Sequence, residues 1–283
     1  MSVASINAGG DFRVGEVLSR AWSIFIGNII FFLAVPLLIN AIYFIFNFVL
    51  GRWFVVFRAP VFSPGLAIGS PWTILAVSIG TAIFFLCLHV FGQGVLLTGA
   101  FQRLRGEPLR VGMALQRALA RLLPLIAVTL LLTLAMFGVL LASFAVLWAV
   151  GLVLGRLVVL LWLGVFVPIV MLGVMWSVVV PACLVEGLGP IASMARSADL
   201  TKGYRWKVTG ILLLLGVIAI AALIILVILL ALTHFSPVAM LIFQMAWLVA
   251  WTAYLNCAII MIYHDLRVAK EGVDTAQIAS VFD

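Results

Sequence analysis

Six stretches of this chain, residues 29–48, 72–97, 125–150, 157–180, 208–233 and 238–263, contain not one Asp, Glu, Lys or Arg. A helix needs about twenty apolar residues to cross the hydrocarbon core of a bilayer, and each stretch supplies that. In lipid every backbone N–H and C=O must find its partner within the protein, which leaves helices or closed barrels. Runs this long and this continuously apolar predict helices, since barrel strands alternate. The expected fold is therefore all-α: a polytopic membrane protein with six transmembrane helices, one membrane domain over 1–283. Composition excludes the soluble alternative, because 66% hydrophobic against 9% charged leaves too few charges to solvate a globular surface. Pro36 predicts a kink in the first span.

The segments between the spans carry the information. Residues 11–28 place Val14, Val17, Leu18, Ala21 and Phe25 on one helical face, with Glu16 one turn before Arg20. Residues 101–124 place Val111, Leu115, Ala118 and Leu122 in a stripe beside Arg110, Arg117 and Arg121. A third short helix is opened by Gly189 and Pro190 and closed by Gly203. It sets Ile191, Met194, Ala195 and Ala198 on one face and Ser193, Arg196 and Asp199 on another. All three suit a membrane interface, where arginine stems reach out to phosphate level. The connector at 51–71, with Trp53, Phe54, Phe57 and Phe62, is expected against the opposite interface.

Six spans place both termini and the two long charged connectors on one side. That side holds thirteen of the 16 basic residues, leaving Arg52, Arg58 and Arg156 opposite, and it holds all nine acidic residues. The positive-inside rule then makes both termini cytoplasmic. The net charge of +4 on that side favours anionic lipid headgroups and requires no nucleic acid. Residues 1–12 show neither a basic start nor an apolar run, so no cleavable signal peptide is expected. Cys87, Cys183 and Cys257 lie in or beside apolar runs and suggest no metal site; no cofactor is expected.

The three short helices resemble one another. Leu18, Leu115 and Met194 stand two residues before Arg20, Arg117 and Arg196, and Ala21, Ala118 or Ser197 follows. Each precedes a pair of spans. The expectation is a threefold repeat of short helix plus span pair, over 11–98, 108–183 and 189–264, with 265–283 as a cytoplasmic tail whose start, through Gly272, continues the sixth helix and sets Arg267 and Glu271 one turn apart. The alternative is that any interfacial helix carries such a pattern.

Two sets of side chains are candidates for function. Arg20, Arg117, Glu186, Arg196, Asp199, Lys202, Arg205, Asp265 and Arg267 form a charged rim that either pairs internally or holds a lipid phosphate or partner subunit. Glu186 is expected with an arginine, Arg196 with Asp199, and Asp265 or Arg267 with the helix that starts at Pro190. Asn40, His89, Gln93 and Asn256 lie within spans and mark either a transport pathway or hydrogen bonds between helices. Gly92, Gly94 and Gly99 near His89 favour close helix approach.

The run Glu186, Gly187, Gly189, Pro190, Arg196, Ser197, Leu200, Thr201, Gly203, Arg205 and Trp206 resembles a known family, as do Tyr263, Asp265, Leu266, Arg267, Lys270, Glu271 and Gly272. The family is the membrane domain found in some glycerophosphoryl diester phosphodiesterases and in stand-alone bacterial membrane proteins. The opening DFRVGEVLSRAWSIF is similar to that family's start. The resemblance implies a bacterial cytoplasmic membrane and a module without catalysis of its own, since the phosphodiesterase chemistry of fused members belongs to a separate barrel. The three histidines, His89, His234 and His264, sit at different depths and offer no catalytic constellation. The expected function is a non-enzymatic membrane module that binds anionic lipid, a partner membrane protein or a second copy of itself; the alternative is a small-solute or lipid transporter.

Overall fold

The computed structural model describes residues 14–58, 71–154, 158–232 and 237–271. Asp11–Arg13 of the opening helix, residues 59–70 of the aromatic connector, the turn at Gly155 and Arg156, the link at 234–236 and the tail from Gly272 lie outside them. The described residues form ten helices and no strand: α1 Val14–Gly27, α2 Ile29–Arg58, α3 Pro71–Leu104, α4 Val111–Ala120, α5 Leu122–Leu154, α6 Val158–Met175, α7 Val179–Glu186, α8 Pro190–Thr201, α9 Arg205–Leu232 and α10 Pro237–Glu271. Six crossings are long and apolar enough to span a membrane, with α6 and α7 sharing the fourth. The chain is a multi-pass membrane protein.

Several helices outrun the apolar stretches that announced them. α2 continues through Arg58, so the first part of the 51–71 connector is helix. α2 also passes through Pro36 unbroken, and Asn40 Nδ2 donates to the Pro36 carbonyl at 2.8 Å. α10 runs on to Glu271, as expected of a sixth helix that continues through the charged residues after Tyr263, and Leu266 is fully buried there. The fourth crossing, expected to be continuous, breaks at Trp176–Val178. The break frees carbonyls near Met175, and buried acceptors need new donors. Ser177 Oγ donates to the Val174 carbonyl at 2.9 Å, and Ser197 Oγ of α8 to the Met175 carbonyl at 2.8 Å.

That bonding corrects the orientation expected of α8. Its buried residues are Ser193, Ser197, Leu200 and Thr201, while Ile191 of the expected apolar face is 78% exposed. Hydroxyls outcompete the apolar stripe because the neighbouring break has unpaired carbonyls to offer. α4 is rotated in the same sense: Ala114 and Ala118 are buried, and Val111 and Leu115 of the expected stripe are exposed. Small residues win the seam because they let α4 lie close on α3, where a Cβ on Gly94 would stand 3.2 Å from that of Ala118. The glycines of α3 do permit close approach, since a side chain on Gly92 or Gly99 would collide with Ile39 or Phe31 of α2. α1 keeps its expected face: Val17, Ala21 and Phe25 are buried, with Val14 and Leu18 half-buried beside them. Trp22 and Phe25 pack edge-on to Tyr254 of α10 at 5.8 and 6.2 Å.

One relation recurs. α4 packs on α3, α8 on α7, and α1 on α10, so each short helix rests on the span that closes the preceding pair, and the last pair receives the first helix. α2 lies between α10 and α3, α5 between α3 and α6, and α9 between α6 and α10. The core draws on the ends of the spans nearest the short helices. Val178, Val179 and Ala182, Leu96, Leu97 and Ala100, and Ile260 to Tyr263 are all essentially inaccessible. Farther along, Leu134, Trp148, Ile220 and Ile225 are more than half exposed, as side chains facing hydrocarbon are.

Candidate functional site

Where the short helices meet the span ends, charged side chains form two arrangements. The first joins α7, α8 and α10. Glu186 ends α7 and Arg196 lies mid-α8; Arg196 Nε donates to both Glu186 carboxylate oxygens, at 3.1 and 2.9 Å. The Tyr263 hydroxyl donates to Glu186 Oε1 at 2.7 Å. The far end of the Arg196 guanidinium binds Glu271, whose other oxygen accepts from Arg267 Nε at 2.9 Å. Tyr263, Arg267 and Glu271 recur every four residues, so one face of α10 presents them all. Burial by itself would lower the pKa of Arg196; hydrogen bonds and charges from Glu271 and Glu186 outweigh it and hold it above the ordinary arginine value. The arrangement is charge-matched and sealed.

Other rim residues extend it. Lys270 binds Asp199 through both its backbone carbonyl and its carboxylate, so α8 is tied to α10 twice. Arg196 therefore does not pair with Asp199 as expected, because Glu186 and Glu271 bracket it from the other side. Arg20 of α1 pairs with Asp265, which also lies 3.2 Å from His264 Nδ1. Asp265 thus serves α1, not the helix from Pro190, and Arg267 stays within α10 through Glu271. Arg20 meets Glu16 through the latter's backbone carbonyl, at 3.4 Å. Lys202 is the exposed C-cap of α8, and Arg205, half-buried at the start of α9, has an Nε without a partner among the described residues.

The second arrangement lies across α7 from the first. A cavity of about 290 Å³ is lined by Phe101 and Arg105 at the end of α3, Arg117 and Arg121 at the end of α4, and residues 184–187. The Arg105 guanidinium sits over the Phe101 ring, 4.4 Å from its centroid, and 4.0 Å from Glu107. Arg121 Nη1 donates to the Gly187 carbonyl at 2.7 Å. Gly187 has φ +71°, which favours glycine, and a Cβ there would come within 2.6 Å of the Arg121 guanidinium and displace it. The Arg117 side chain is exposed and has no hydrogen-bond or ion-pair partner among the described residues. Glu186 borders the cavity, but its carboxylate is committed to Arg196 and Tyr263.

The polar residues within the spans do not share this cavity. His89 is exposed on the outside of the bundle, Gln93 and Asn40 are half-buried, and Asn256 is buried with Nδ2 bonded to the Thr252 carbonyl at 2.8 Å. Among the described residues no group of His, Cys, Asp and Glu has a metal-binding arrangement.

The rim drawn from sequence thus contains two sites of opposite character. It left out Tyr263 and Glu271 on the sealed side, for which their four-residue spacing with Arg267 on α10 was the available signal, and Lys270 beside them. It missed Arg105 and Arg121 on the open side. For Arg105 the signal was local: it precedes Gly106, φ +73°, as Glu186 precedes Gly187. Compared with family models, with curated proteins and with solved structures, the chain matches none.

Proposed function

We propose that this chain is a non-enzymatic integral membrane module whose basic rim holds anionic lipid headgroups, with a partner membrane protein or a second copy as the alternative occupant. The observation that carries this is the division of the rim: one half neutralises itself through Glu186, Asp265 and Glu271, while the other leaves Arg105, Arg117 and Arg121 around an open cavity. Exposed apolar spans set these arginines beside lipid, where each cation near an anionic surface contributes roughly 1 kcal/mol. The module is read as residing in a bacterial cytoplasmic membrane with both termini cytoplasmic, and the resemblance to the phosphodiesterase-associated membrane domain agrees with that. It is also read as three copies of short helix plus span pair; the cyclic packing of α1, α4 and α8 supports this. For transport no observation speaks, since Asn40, His89, Gln93 and Asn256 differ in exposure and none of them lines the cavity at Arg105, Arg117 and Arg121.

The test is native mass spectrometry of the full-length protein released gently from vesicles of equal phosphatidylglycerol and phosphatidylcholine content. The expected result is preferential retention of the anionic lipid. Equal retention of the two overturns the lipid reading, and a stoichiometric second protein in place of lipid transfers the rim to a partner.

A further inference from the structure

The three short helices carry arginines at matching positions, and two of them are neutralised from within. Arg196 receives Glu186, the last residue of α7, and Arg20 receives Asp265 near the end of α10. The corresponding partner for Arg117 belongs at the end of α3. The residue there that precedes the left-handed glycine, as Glu186 does in α7, is Arg105. A guanidinium stands where the α7 corner has a carboxylate, so Arg117 shares its cavity with a second cation, and Arg121 adds a third. Like charges lining one partly desolvated space repel, and the repulsion is relieved by an anion that enters it.

We propose that the cavity bounded by Arg105, Arg117 and Arg121 is a phosphate-binding site that takes the phosphate group of an anionic phospholipid. The proposal deepens the membrane-module reading and rests on it. The arginines are fixed without committing all their donors: Arg105 by the Phe101 ring and by Glu107 at a long 4.0 Å, Arg121 by one nitrogen on the Gly187 carbonyl. Guanidinium donors match phosphate oxygens in pairs, which an ammonium does not. The volume, about 290 Å³, lies at the small end of ligand pockets and suits a phosphate with a short headgroup. The surroundings favour lipid over soluble phosphate. Leu115 and Leu119, two residues to either side of Arg117 and so on the opposite face of α4, are 42% and 64% exposed, which sets the helix that carries the arginines in an apolar surrounding where it meets the span ends.

The experiment titrates full-length protein in nonionic detergent with dioleoyl phosphatidic acid, with dioleoyl phosphatidylcholine and with inorganic phosphate, read by native mass spectrometry. The parent should bind phosphatidic acid at least tenfold more tightly than phosphatidylcholine, and Arg117→Gln should weaken it about tenfold. Arg105→Glu, which restores the missing carboxylate, should abolish the preference while leaving the melting temperature equal or higher; Arg105→Gln serves as a milder second variant. Millimolar inorganic phosphate that displaces the lipid, with the same arginine dependence, confirms the phosphate site and overturns lipid as its source. If the parent prefers phosphatidic acid and all three variants bind it equally, the site is overturned and the rim reading stands. If the parent shows no preference, both fall.

Discussion

Glu186 and Arg105 hold corresponding places at two neighbouring corners of the molecule. Each stands just before a glycine in the left-handed conformation, at the end of a span, and each is followed by a short helix that carries an arginine. At the Glu186 corner the local design closes on itself: the carboxylate accepts from Arg196 and Tyr263, and Glu271 completes the far side. At the Arg105 corner the same backbone leaves three guanidinium groups around a cavity. One charge reversal separates a structural clamp from a candidate ligand site. The fold tolerates this because the backbone seat is set by helix ends and small-residue packing, not by the sign of the side chain.

Breaking the clamp tests the comparison hardest. Glu186→Gln leaves Arg196 and the Tyr263 hydroxyl with a weaker acceptor in a half-buried place. Removing one member of a fully buried pair costs 3–5 kcal/mol, and with side-chain exposures of 16% and 24% here we expect about 2 kcal/mol. Thermal unfolding in detergent should show it as the largest single loss on the rim. A fall indistinguishable from that of an exposed surface substitution would mean the corner is not a clamp.

The glycine between the two corners comes next. Gly187→Ala places a Cβ at positive φ and against Arg121, with an expected cost of about 1–2 kcal/mol. Because Arg121 bonds to this same residue, the substitution should also weaken phosphatidic acid binding, whereas Ser197→Ala, at the α6–α7 break, should lower stability by about 1 kcal/mol and leave binding intact. Equal effects of both on binding would erase the distinction between the corners.

The smallest effect sharpens the contrast most. Arg117 is exposed and unpartnered among the described residues, so Arg117→Gln should change stability by less than about 0.5 kcal/mol in the absence of lipid. Added anionic lipid should raise the melting temperature of the parent more than that of the variant. A large loss of intrinsic stability would place Arg117 in the framework and make the two corners alike.

Much of the architecture was legible because it rests on local composition. Residues 125–150 and 208–233 announce α5 and α9 by hydropathy, and Pro190 and Gly203 bracket α8 to within a residue or two. The heptad-like face of α1 needed only the spacing of Val17, Ala21 and Phe25. α4 and α8 show where that reasoning stops: of its expected stripe α4 buries Ala118 and leaves Val111 and Leu115 exposed, and α8 buries its hydroxyl face instead of its apolar one. The fold turns Ala118 toward the close approach at Gly94, and turns Ser197 toward carbonyls freed at a break that the apolar run around Trp176 conceals. A short helix does not choose its buried face alone, since its neighbour decides whether volume or hydrogen bonding weighs more.

The sequence by itself determined the six crossings, the three short amphipathic helices and the gathering of charge between them, because the cost of leaving a backbone or a charge in hydrocarbon is paid residue by residue. Only the tertiary structure decided which charges meet. Arg20 finds Asp265 across 245 residues, and Arg196 finds Glu186 and Glu271 rather than the nearby Asp199. Arg117 is left without a side-chain partner among the described residues, in a cavity it shares with Arg105 and Arg121. Ion pairing falls off with distance in space and not with distance in sequence, so the line between a sealed rim and an open site is drawn by how α3, α7 and α10 bring their ends together.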